Sequence, residues 1–244
     1  MRILLLLIFS LVFTLVSFSQ TLLYYDPDGN LRKIVDINAE GNKLFGKLGI
    51  KFIVAADDLS FSKAFEQYSP QFVILNSIIY SSKKSELGLS PLAIFTKKGK
   101  YSYTKKVVSF SEDVNFGMLK NKILSSSFKS VNDILGFEPK VLKVPKDLDA
   151  LLAIKFRQAD VALVSEDSIE IFKAISPVDY NMIKVIYTSK SIYNPVLCAT
   201  KFNKDEDLIN QLISTLGSQE AKSFLGLLLF DGITTDSKIL LKIK

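Results

Sequence analysis

Four short loops carry the side chains with which this chain could do chemistry. They are Tyr25-Asp26, Asn76-Ser77, residues 111–115 with Ser111 and Asn115, and Ser165-Glu166. Each follows an apolar, strand-like run, and open α/β sheets hold ligands outside the carboxyl ends of their parallel strands. The residue types suit reversible capture of a small molecule. Hydroxyls and amides offer neutral hydrogen bonds, and loops leading into helices add free N–H groups and a positive dipole end that favour an anion. Tyr25, and Tyr80 just beyond the second loop, could wall a small ligand. Every one of these residues also has an ordinary structural role to weigh. Ser, Asn and Asp cap helices, and Tyr80 could equally pack in a core.

Catalysis finds less support. The chain has no histidine and one cysteine, Cys198, which sits in the apolar run Pro195-Val196-Leu197-Cys198-Ala199. Composition therefore excludes histidine-based catalysis, a Cys/His metal site and an intramolecular disulfide. Cys198 reads as a small core residue. The paired acids Asp57-Asp58, Glu112-Asp113 and Glu166-Asp167 all precede helices, where the dipole stabilises carboxylates, so capping accounts for them. No Gly-rich nucleotide loop, Gly-Lys-Ser/Thr loop or nucleophile elbow occurs. The reading is a non-enzyme with no cofactor and no metal.

The elements that must position these loops repeat. Residues 141–144 are β-prone, Pro145 breaks the strand, and Asp147 is a candidate N-cap. Leu148, Leu151, Leu152 and Phe156 follow at helical spacing and are expected on one buried face. Val161-Ala162-Leu163-Val164 then reads as a doubly buried strand ending at Ser165. The same βαβ unit occurs earlier. Residues 52–54 are a strand, Asp58 a candidate cap, Phe61, Ala64, Phe65 and Tyr68 a helical stripe, and residues 71–75 the second strand ending at Asn76. Asp58 precedes Phe72 by the interval at which Asp147 precedes Val161, which suggests two similar lobes.

Between the units, residues 91–96 and 101–103 read as an antiparallel hairpin around the turn Lys97-Lys98-Gly99-Lys100. Residues 105–110 are a strand, 116–135 a continuous helix ended by Gly136, and 182–187 and 194–199 further strands. Residues 31–48 read as helix with Gly41 a weak point, and two helices, 205–216 and 219–228, close the chain.

With 244 residues, 48% hydrophobic and 23% charged, the chain is globular. Its net charge of +6, from 31 Lys+Arg against 25 Asp+Glu, is spread without a basic block, so no nucleic-acid partner is expected. Residues 1–19 read as a signal peptide. Arg2 provides the positive start, residues 3–16 an apolar core shorter than a membrane span, and Ser17 and Ser19 the small residues before a cleavage point near Gln20. No cysteine lies near that point, so the expected mature protein is periplasmic or secreted and not a lipoprotein.

The order of pieces resembles the type II periplasmic solute-binding proteins, in the branch serving phosphonate, phosphite and phosphate ABC transporters. The likeness rests on Phe72-Val73-Ile74-Leu75-Asn76-Ser77 with Tyr80, on residues 148–164, on residues 189–195, and on the closing residues 225–232. It implies an α/β fold of two lobes joined by hinge strands, with a small ligand held between them. Lobe 1 is expected at residues 20–104 plus 195–244 and lobe 2 at 105–194. The family's second-lobe anion loop, rich in Ser, Thr and Gly, is matched to Ser111-Glu112-Asp113-Val114-Asn115-Phe116-Gly117. Two carboxylates stand in that stretch, and the first loop, Asp26-Pro27-Asp28, is acidic too. A cationic or zwitterionic ligand therefore stays open beside a phosphonate- or phosphate-like oxyanion. The expected protein is a monomer that takes its ligand in a cleft lined by Asn76, Ser77, Tyr80, Ser111 and Asn115, and delivers it to an ABC transporter permease. The alternative is an extracytoplasmic sensor or interaction protein with a degenerate cleft.

Overall fold

The computed structural model describes residues 20–29 and 31–243. The expected targeting segment, residues 1–19, lies outside them. Strand β1 (Gln20–Tyr25) runs parallel to β2 (Ile50–Val54) on one side and β3 (Phe72–Leu75) on the other. Both of its faces are covered. Leu22 and Tyr24 pack with Phe45, Phe52 and Phe224, while Leu23 and Tyr25 pack with Phe61, Phe65 and Tyr80. That double burial is why the run is apolar without alternation. Helix α1 (Ile34–Phe45) buries Ile37, Leu44 and Phe45. Gly41, read above as a weak point, is instead a close approach, because a Cβ there would stand 2.1 Å from Phe52 Cδ1. Helix α2 (Asp58–Tyr68) is capped by Asp57 rather than Asp58, and Asp57 and Ser60 form a reciprocal capping box.

Helix α3 (Ser77–Leu87) leads to β4 (Ser90–Thr96). The expected hairpin after β4 is reduced to a bridge between Lys97 and Lys100. Its second arm, β5 (Ser102–Tyr103), pairs antiparallel with β11 (Ile192–Tyr193). These two short strands carry the chain between the two sheets. Asn194 pins the crossing, its Nδ2 donating to the carbonyls of Phe95 and Lys100 at 3.0 Å each.

The second sheet contains β6 (Lys105–Ser109), β7 (Ile123–Ser126), β8 (Lys140–Lys143), β9 (Val161–Ser165) and β10 (Lys184–Thr188). The continuous helix expected over 116–135 does not form. It divides into a 3-10 turn, Phe116–Asn121, then β7, then a short helix α4 (Val131–Leu135). Long-range pairing overrides the local pattern. β7 is held in parallel by β8 and by β9, and the Ser125 hydroxyl is satisfied by the carbonyls of Ala150 and Val161.

Helix α5 (Asp147–Lys155) buries Ala150, Leu151, Ala153 and Ile154. The expected face is therefore rotated, with Leu152 39% and Phe156 64% exposed. Nearly every side of this helix is apolar, so periodicity alone could not choose a face, and the small Ala150 and Ala153 are what permit close contact with the sheet. Leu152→Ala is accordingly expected to change stability by less than about 1 kcal/mol in urea unfolding, the range for a surface substitution. A loss of several kcal/mol would restore Leu152 to the core.

After α6 (Glu166–Ile175), α7 (Pro177–Tyr180), β10 and β11, strand β12 (Val196–Ala199) returns to the first sheet. Helices α8 (Glu206–Leu216) and α9 (Lys222–Leu227) pack on it, and β13 (Gly232–Thr234) and α10 (Ser237–Ile243), neither expected, finish the chain. The first sheet has the order β13-β4-β12-β3-β1-β2 and the second β10-β6-β9-β7-β8. Apart from the edge strand β13 the two orders correspond strand for strand, each with three mutually parallel strands followed by two strands joined through successive antiparallel pairings. Among the described residues no helix is long and apolar enough to cross a membrane.

Candidate functional site

The carboxyl ends of β1 and β3 face those of β7 and β9 across a cavity of about 470 Å³. Asp26 and Asn76 reach it from the first sheet, Lys105, Phe128, Ser165 and Glu166 from the second, and Tyr103 and Tyr193 from the crossing strands.

On the first-sheet side the turn after β1 folds onto Asn76. Asp26 is 5% exposed. Its Oδ1 accepts from the Asp28 N–H at 3.0 Å and from Asn76 Nδ2 at 3.1 Å. Asn76 also caps α3, accepting from the Ile78 N–H at 2.8 Å. Burial pushes the Asp26 carboxyl up to about 6, the Asp28 charge adds to the rise, and Asn76 with the N–H groups of Asp28 and Gly29 only partly oppose it. Asp28 reaches across the cleft. Its Oδ1 accepts from the Lys129 N–H at 2.6 Å and its Oδ2 from Ser130 Oγ at 3.1 Å, both in the loop between β7 and α4. Burial raises the Asp28 carboxyl as well, against those two donors and the charges of Lys105 and Lys129.

On the second-sheet side Asp147 is a hub. Sequence suggested it as an N-cap, but that position belongs to Lys146, and the Asp147 carboxylate turns inward instead. It accepts from Lys105 Nζ at 3.0 Å, Ser127 Oγ at 2.5 Å and the Ser165 N–H at 2.6 Å. Burial by itself would raise the Asp147 carboxyl, but the Lys105 ammonium, the Ser127 hydroxyl and the Ser165 N–H together hold it below the usual carboxylate range. The Lys105 ammonium also lies 5.0 Å from the centre of the Phe128 ring. Burial first, then the charges of Asp26, Asp28 and Asp147, push the Tyr103 phenol far up, so it stays neutral and can donate a hydrogen bond. At the rim Lys97 and Lys98 from the first sheet meet Asp167 at 3.3 and 3.4 Å.

Of the residues expected from sequence, Asn76, Ser165 and Glu166 line this cavity. Ser165 caps α6, and Glu166 pairs with Lys106 at 2.7 Å. Tyr25 is buried and stacks on Phe61, with ring centres 5.3 Å apart. Ser77 is buried and donates to the Tyr193 carbonyl at 2.6 Å, tying α3 to the crossing strand. Tyr80 is a core residue beside Cys198. Burial, then the neighbouring Cys198, pushes its phenol up to about 12.

Ser111 and Asn115 are not brought to the cleft. Ser111 stands beyond the carboxyl end of β6, and β6 runs antiparallel to β9, so that end lies at the opposite edge of the sheet. There Ser111 borders a separate groove with Lys122, Asp160 and Met182. Asn115 precedes the 3-10 turn. The loop that does occupy the expected place is Ser126-Ser127-Phe128-Lys129-Ser130. The signal that points to it is serine density, since Ser125, Ser126, Ser127 and Ser130 are poor helix-interior residues. Among the described residues no group of three or more His, Cys, Asp or Glu stands together to hold a metal ion.

No family model and no curated protein matches this sequence. Solved structures do. XAC2383 from Xanthomonas citri, bound to chloride ion, matches with a TM-score of 0.63 at 12% identity, covering 92% of this chain and 95% of that one. A binding protein component of an ABC phosphonate transporter from Pseudomonas aeruginosa matches at 0.61 and 16% identity, over 92% of this chain and 83% of the other. PhnD1 from Prochlorococcus marinus, in complex with methylphosphonate, matches at 0.57 and 12% identity, over 92% and 95%. With the strand orders above, these likenesses establish the fold. It is the two-lobed α/β fold of type II periplasmic binding proteins, joined through β5 and β11.

Proposed function

We propose that this chain is an exported solute-binding protein, not an enzyme, which captures a small ligand in the interlobe cleft and delivers it to an ABC transporter permease. The observation that supports this reading most is the cavity of about 470 Å³ with polar groups from both sheets, a size suited to a small molecule. Lobe 1, residues 20–104 with 195–244, and lobe 2, residues 105–194, would close on the ligand by bending at β5 and β11. Asn76, Ser165, Tyr103 and Tyr193 would supply neutral contacts and walls. Two fold neighbours concern phosphonates, so phosphonate and phosphate belong among the candidate ligands. The carboxylates of Asp26 and Asp28 favour an amine-bearing ligand over a free oxyanion, since a second anion beside them would be repelled.

A thermal-shift screen of phosphonates and phosphate, amines and amino acids, and sugars tests this. A ligand that binds only the folded state raises the melting temperature, and Ser102→Trp, which puts a large ring at the cavity wall, is expected to abolish that rise. A rise that survives Ser102→Trp would place binding elsewhere. The bonds of Asp28 to Lys129 and Ser130 favour a second reading, a sensor or interaction protein whose cleft no longer takes a ligand. Absence of a rise with every class would select it.

A further inference from the structure

We propose that Asp28 is a built-in anion that fastens the two lobes together, so that the chain closes over its cleft before any ligand arrives. The proposal rests on the two-lobed fold and not on any ligand.

Among the described residues, two sets of bonds cross the cleft between the loops. One joins Lys97 and Lys98 to Asp167, all of them roughly half exposed or more, at 3.3 and 3.4 Å. Exposed pairs of this kind contribute little and are screened by salt. The other is made by Asp28. Its two oxygens accept from the Lys129 N–H at 2.6 Å and from Ser130 Oγ at 3.1 Å, and Asn76 Nδ2 stands 3.4 Å away on the first-sheet side. Hydrogen bonds to a charged acceptor are about twice as strong as neutral ones, and the Ser130 bond is partly buried while the Lys129 bond lies at the surface.

The surroundings make this arrangement specific. Asp28 sits in the turn Asp26-Pro27-Asp28-Gly29, where Pro27 restricts the backbone and the Gly29 N–H closes onto the Asp26 carbonyl at 3.1 Å. Asp28 therefore projects from a shaped turn and not from a loose loop. The charged groups that bear on it are Asp26 on its own turn, and Lys105 and Lys129 from the opposite lobe. The two cations favour its ionised form, in which it accepts from both donors at once. In a protein that closes only around ligand, those donors would be left for the ligand. Here they are taken by the protein itself.

The test uses full-length mature protein, unfolded and refolded to strip bound small molecules, with no ligand added. Small-angle scattering of the wild type is expected to match the closed structure. Asp28→Ala is expected to shift the radius of gyration upward, while Asp167→Asn leaves it unchanged. The Lys129 amide is expected to exchange its hydrogen about tenfold faster or more in Asp28→Ala, as loss of a charged acceptor implies. If Asp28→Ala does not melt cooperatively, Ser130→Ala, which keeps the carboxylate and removes one donor, is expected to show the same shift at smaller amplitude. An unchanged radius of gyration in the folded variant, even with faster exchange at Lys129, overturns the proposal. So does a wild type that is already open. Ligand capture itself is read separately, by the thermal-shift screen.

Discussion

Asp147→Ala is expected to lower the unfolding free energy by about 3–5 kcal/mol, the range for removing one partner of a buried ion pair. The Lys105 and Asp147 side chains are 8% and 10% exposed. Removing the carboxylate leaves the ammonium without its hydrogen-bonded partner, beside the Phe128 ring and the more distant charge of Asp28, and the Ser127 hydroxyl and Ser165 N–H lose their acceptor with it. The cost comes from those orphaned groups rather than from the attraction itself, and this yields a sharper expectation. Lys105→Met combined with Asp147→Ala should cost less than Asp147→Ala alone, because the double variant leaves no uncompensated charge. Urea unfolding at neutral pH measures both. A loss below about 1 kcal/mol for Asp147→Ala would mean that water reaches Lys105. The pH dependence has a definite sign. The folded-state carboxyl of Asp147 is held below its ordinary value, so its contribution is fully present above the unfolded value and is lost as pH falls through the folded one.

Which parts of this protein could be read from residues alone follows from how local their causes are. The runs Phe72–Leu75 and Val161–Ser165 are short, apolar and doubly buried, and the helices before them begin at Asp58 and Asp147, the same interval away. Local pattern was enough to find both βαβ units, and the strand-end rule then found Asn76 and Ser165. Strand β7 failed that test because only Ile123 and Leu124 are apolar, and the Ser125 hydroxyl is satisfied by carbonyls from α5 and β9 that no local window contains. Without β7 the serine loop after it is not legible in the sequence, and Ser111 and Asn115 stand as candidates in its place. Their misplacement has one cause, the antiparallel direction of β6, which its own residues do not encode. The bond from Lys129 to Asp28 joins residues 101 positions apart, so it too was out of reach. The face of α5 was ambiguous for another reason, being apolar nearly all round.

Asp26→Asn is expected to stabilise the protein at pH 7 by about 3 kcal/mol or somewhat less and to leave stability at pH 4 almost unchanged. The Asp26 carboxyl stands at about 6 in the folded protein against 3.8 as the ordinary value. A raised carboxyl means that the folded state binds the proton more tightly than the unfolded one. Its stabilising effect is therefore fully present below pH 3.8 and is lost as pH rises through about 6. With about 1.4 kcal/mol for each unit, the difference comes to about 3 kcal/mol. This slope opposes that of Asp147, so the two carboxylates can be told apart by titration. Asparagine resembles the protonated acid, and its amide oxygen can still accept from the Asp28 N–H and Asn76 Nδ2, so the variant removes the charge and keeps the turn. Urea unfolding at pH 4, 5, 6 and 7 is the measurement. Equal pH slopes for wild type and Asp26→Asn would show that Asp26 ionises freely and would remove its burial from the account. A gain at pH 7 has a further meaning. A carboxylate kept in a cleft against its own solvation, where a neutral residue would be more stable, is the pattern expected of a group retained for binding. An amine-bearing ligand found by the screen should then lose affinity in the same Asp26→Asn protein that gains stability, whereas an oxyanion should gain affinity.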